Sequence, residues 1–101
     1  IVVATSEDFY SKNPGLVKKF LQVQKETLQY MDENYEEAME ITAKATELPV
    51  DAVKEMYKMY DFNMEIKESD IESMQKTVKF MKENNMIEND IDVRSLILDI
   101  E

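Results

Sequence analysis

The stretch "DIDVRSLILDIE" holds the residues best suited to chemistry. Asp90, Asp92 and Glu101 stand at positions 1, 3 and 12 of a calcium-loop spacing. Such a loop also needs an oxygen ligand at its fifth position and a glycine at its sixth for the sharp bend. Arg94 and Ser95 stand there instead. Leu96, Ile97 and Leu98 continue as an apolar helical face, so the stretch predicts a final helix capped by Asp92, with no metal. Arg94 has a planar fork that can clamp an anion. Beside Asp90, Asp92 and Asp99 it is expected in a local ion pair.

The rest of the chemical inventory is sparse. The chain has no Cys and no His. Thiolate nucleophiles, disulfides, cysteine zinc sites and the commonest general base are therefore absent. Gly15 is the one glycine, so no glycine-rich phosphate cradle can form. These absences argue against an enzyme, and no cofactor is expected. With 22 acidic against 12 basic residues the net charge is −10, which repels phosphate backbones and anionic membranes. The eight Met and five Tyr fall mainly at seam positions, where core packing and core edges are their ordinary places. The acidic runs "ENYEEAME" and "ENNMIENDID" read as solvated faces. No run approaches the roughly 20 apolar residues of a membrane span.

The elements that must position these residues are mostly helical. The 101 residues, 44% hydrophobic, suffice for one domain. Residues 1–4, Ile1, Val2, Val3 and Ala4, form an apolar run that predicts a single β-strand. Helices are predicted over about residues 6–12, 14–32, 35–46, 50–60, 69–84 and 93–98, in one mainly α unit. Thr5 or Ser6 can cap the first. Asn13 caps the second, with Pro14 at its first helical position. Leu16, Val17, Phe20, Leu21, Gln24, Leu28 and Met31 are read as one core-facing stripe. Asn34 with Glu37, and Ser69 with Glu72, fit capping boxes, although Lys67 or Glu68 could lie inside the fifth helix. Ala38, Met39, Ile41, Thr42 and Ala45 supply a close-packing face. Val50, Val53, Met56, Tyr57 and Tyr60 supply the next, and Ile71, Met74, Val78 and Met81 the last.

The pieces also have an order. The apolar run leads into "FYSKNPGLVKKFL", then "EEAMEITAKATELPVDAV", then "FMKENNMIENDIDVR". This series resembles the C-terminal third of substrate-binding proteins of ABC importers, in the subfamily for aliphatic sulfonates, taurine, nitrate and thiamine-precursor pyrimidines. In the tail, Phe80, Ile87, Asp92, Val93 and Arg94 match the family pattern, and Asn85 stands where the family usually has Gly. Asparagine also enters the left-handed conformation. The resemblance spans essentially the whole chain, although each piece is a short helical pattern.

The resemblance implies two α/β lobes closing on a solute, with Ile1–Ala4 as a strand of one lobe's sheet. It implies that the chain is the rear portion of a longer extracytoplasmic protein. That protein would deliver a small, anionic solute to an ABC permease. Most ligand contacts would lie outside this portion, leaving Thr5 and Ser6 as the positions to watch, with helix capping as their ordinary role. A lone strand edge seeks a partner, which predicts a homodimer through Ile1, Val2, Val3 and Ala4. The alternative is a free-standing helical module for protein–protein interaction.

Overall fold

A computed structural model describes residues 1–100. The chain is mainly helical: α1 (Glu7–Lys12), α2 (Pro14–Glu33), α3 (Tyr35–Thr46), α4 (Val50–Tyr57) and α5 (Glu68–Glu83), followed by a 3-10 turn over Val93–Leu96. Where the sequence predicts one unit, the chain divides into two, Ile1–Met64 and the residues from Glu65 onward.

The strand expected over Ile1–Ala4 does not form: residues 1–6 carry no regular secondary structure. A strand is secured by a ladder of backbone bonds to a neighbour. Among the described residues no strand exists to offer one. Ile1, Val2 and Val3 accordingly remain 51–61% exposed, rather than covered on two faces.

In the first unit, asparagines end two helices. The Asn13 backbone N–H and side-chain amide both donate to the Phe9 carbonyl, at 2.9 and 3.2 Å, closing α1. Asn34 treats the Tyr30 carbonyl the same way, at 2.8 and 3.2 Å, closing α2. Neither side chain caps the helix that follows. The N-cap expected of Asn13 and the Asn34–Glu37 box are therefore corrected: each amide is spent backwards. α3 ends at Glu47, which takes the left-handed conformation (φ 56°), while the Leu48 N–H donates to the Ala43 carbonyl at 3.1 Å. Pro49 then begins α4 in the extended conformation.

The core is small. Ala38, Met39 and Ala43 of α3 pack with Val53 of α4, and Met31, Tyr35, Val50 and Tyr57 close around them. The two alanines let the helix backbones approach, and Met39, 1% exposed, fills the space between. Ile41, Thr42 and Ala45, expected on this face, are exposed. α4 ends at Tyr57, short of residue 60, in a turn where the Met59 and Tyr60 N–H groups donate to the Met56 and Tyr57 carbonyls.

In the second unit, α5 starts at Glu68, and the side chain that caps its start is Asp70, not Ser69 or Glu72. The Asp70 carboxylate accepts the Lys67 backbone N–H at 2.8 Å. At the far end, the Asn84 amide donates to the Phe80 carbonyl at 2.8 Å. Asn85 is left-handed (φ 56°), and the Met86 N–H reaches the Met81 carbonyl at 2.8 Å. Ile71, Met74, Val78 and Met81 form the half-buried face of α5, and Val93 is the buried residue that docks in this unit. The predicted helix over 93–98 shrinks to the 3-10 turn ending at Leu96.

Candidate functional site

The positions singled out for a ligand are occupied by local structure. The Ser6 hydroxyl accepts the Phe9 backbone N–H at 3.1 Å and caps α1, while Thr5 is exposed beside it. The carboxylates of the calcium-like spacing are separately engaged. Asp90 pairs with Lys82 at 2.6 Å, Asp92 accepts the Arg94 N–H at 3.1 Å, and Glu101 lies outside the described residues. Among the described residues no group of three acidic side chains is placed to hold a metal.

Arg94 is ion-paired, but with a carboxylate far away in sequence rather than a neighbouring one. Its guanidinium reaches Glu68 at the start of α5, 26 residues earlier. The hydrogen bond between them holds the Glu68 carboxyl below its ordinary pKa and raises that of Arg94.

The aromatic residues gather at the end of the first unit's core. Tyr35 meets Tyr57 edge-on with ring centroids 5.5 Å apart, Phe62 stacks on Tyr57 at 5.1 Å, and Tyr60 lies 6.0 Å from Phe62. The Lys54 ammonium sits 5.9 Å from the Tyr35 ring centroid while pairing with Glu36 at 2.6 Å. That hydrogen bond raises the Lys54 pKa. This arrangement lies at the edge of the core that Tyr35 and Tyr57 help to close.

The surface that stands apart is the outer face of α2. Val17, Leu21, Gln24, Leu28 and Met31 are half-buried and face the unit's interior. One residue back, Leu16, Phe20, Val23, Thr27 and Tyr30 repeat the same four-three-four-three spacing, and all are exposed. Leu16 is 60% exposed and Phe20 56%, although both were expected inside. Two parallel seams one residue apart lie about 100° apart around a helix. A single wide stripe read from sequence therefore merges them. The spacing of Val23 and Tyr30 with Leu16 and Phe20 is the signal that separates the second seam.

The outer seam has few unmet polar demands. The Thr27 hydroxyl donates to the Val23 carbonyl at 2.8 Å. The Tyr30 hydroxyl is held by Glu37, which raises its pKa.

No protein-family model, curated protein or solved structure matches the chain. Among the described residues, no helix is long and apolar enough to cross a membrane.

Proposed function

We propose that the chain is the helical rear portion of an extracytoplasmic solute-binding protein, one that passes a small, anionic, sulfonate- or nitrate-like solute to an ABC permease. In this reading the whole protein has two α/β lobes that close on the solute, and capture is a shift of population toward the closed form. No covalent step is involved, and neither a cofactor nor nucleic acid takes part.

The observation that carries the reading is the backbone of Asn85. Its φ of 56° is the left-handed conformation that glycine adopts most easily. It falls at the position where the resembled pattern has Gly, between Phe80 and the Ile87…Asp92-Val93-Arg94 series. The exposed Ile1, Val2 and Val3 offer the apolar run such a sheet would take up.

Titration calorimetry tests this on the complete product of the gene, with taurine, ethanesulfonate and nitrate as probes. Saturable one-to-one binding of at least one is expected. Absence of heat with all three, from a folded protein, removes the reading.

A second reading, a helical protein–protein interaction module, is favoured by the exposed seam on α2. The same calorimetry separates the two, since a module of that kind takes up none of the solutes.

A further inference from the structure

We infer that the outer seam of α2 is a self-association surface, on which a second copy of this chain packs its own α2 in antiparallel orientation.

Area is the first argument. The chain exposes 8464 Å². A compact monomer of 11.9 kDa exposes about 5,900 Å², and two independent compact units of the same total size about 7,100 Å². Part of that surplus lies on α2, where Leu16, Phe20, Val23 and Tyr30 are 41–60% exposed along one line of a 20-residue helix.

Spacing is the second. Leu16, Phe20, Val23, Thr27 and Tyr30 alternate four and three residues, the repeat that keeps one seam facing a neighbouring helix. The seam flanks the half-buried stripe without using it, so a second helix can dock while the unit's interior stays intact.

Charge selects the occupant and its direction. Lys19 and Glu26 lie seven residues apart on the same shoulder of the seam. Neither belongs to an ion pair within the chain among the described residues. When two α2 helices run antiparallel, Phe20 layers on Val23 of the second copy and Leu16 on Thr27 of the second copy. Lys19 then meets Glu26 of the second copy, and two-fold symmetry repeats the pair. Sliding by one repeat would place Glu26 against Glu26. A parallel arrangement would set Lys19 against Gln24, with no opposite charge. The buried cluster meets α2 at its C-terminal end through Met31, so the antiparallel form keeps the two copies' cores at opposite ends.

Sedimentation equilibrium on the 101-residue chain, over a concentration series, tests the inference, with far-UV circular dichroism as the check on folding. A dimer is expected. Phe20→Glu, at an exposed position, is expected to keep the helical spectrum and yield a monomer. Lys19→Glu is expected to raise the dimer dissociation constant about tenfold, and Lys19→Glu with Glu26→Lys to restore it to within about threefold. A wild-type chain that stays monomeric overturns the inference. So does a dimer indifferent to Phe20→Glu, or one lost only on deleting Ile1–Ala4. Failure of the double charge swap to rescue overturns the antiparallel register.

Discussion

The Gln75 side chain binds the backbone on both sides of Asp92. Its amide donates to the Ile91 carbonyl at 2.9 Å, and its carbonyl oxygen accepts the Val93 N–H at 3.0 Å. A primary amide has the same donor–acceptor pair as a peptide group. One side chain on α5 thus imitates a rung of a β-ladder and holds an irregular segment where no strand exists to pair with it. Val93, 5% exposed, is thereby seated.

Replacing Gln75 by Ala leaves the part-buried Val93 N–H without its acceptor. The cost expected is about 1–3 kcal/mol of the second unit's stability. Amide exchange by NMR reads it directly: the Val93 N–H should lose protection while the centre of α5 keeps its own. Unchanged protection at Val93 would show that the amide bridge contributes nothing.

Met39→Ala should be the most damaging single truncation in the first unit. Met39 is the side chain buried deepest, in the cluster that joins α3 and α4. A loss of about 2–5 kcal/mol is expected. Ile41→Ala, on the exposed side of the same helix, should change stability by less than about 0.5 kcal/mol. Urea unfolding of both variants compares the two faces.

Glu47 ends α3 with a positive φ that a side chain adopts at some expense. Glu47→Gly should stabilise the first unit by about 1 kcal/mol, since glycine takes this conformation freely and the bond from Leu48 to Ala43 is kept. A fall in the thermal midpoint would mean that the Glu47 side chain matters more than its backbone.

The Arg94–Glu68 pair sets a direction for pH dependence. Hydrogen bonding from Arg94 lowers the Glu68 pKa from the ordinary 4.5. The folded state therefore binds its proton less readily than the unfolded chain. The contribution is present in full above the unfolded value, declines as the pH falls, and is lost once the pH passes below the folded value. Both side chains are largely exposed, so the effect is small. Glu68→Gln should be less stable than wild type at neutral pH and indistinguishable from it in acid. A difference that persists in acid would assign the effect to something other than the charge.

What was legible in the sequence followed from local rules. Pro14 marked a helix start, and Asn85 takes the left-handed conformation of which asparagine is capable. Ser6 capped α1 and Asp92 the final turn through the bonds their side chains can make. Some failures were local: the Asn13 and Asn34 amides turn back to close the preceding helix, and Asp70 takes the capping role read for Ser69 and Glu72. The others were non-local. Which face of α2 is covered depends on where α3 folds back, and α2 carries two seams of equal spacing. The partner of Arg94 is 26 residues away and the role of Gln75 spans 18, so neither leaves a periodic trace. Ile1–Ala4 reads as a strand by composition, but strand formation needs a neighbour that composition does not supply.

The residues after α5 are moored by fastenings of two kinds. At Ile91 and Val93 it is a neutral amide; on either side, at Asp90 and at Arg94, it is a pair of opposite charges. Concentrated electrolyte loosens the charged pairs and leaves the amide untouched. The tract should therefore slacken on both sides and stay pinned at Gln75, a partial release about a fixed centre.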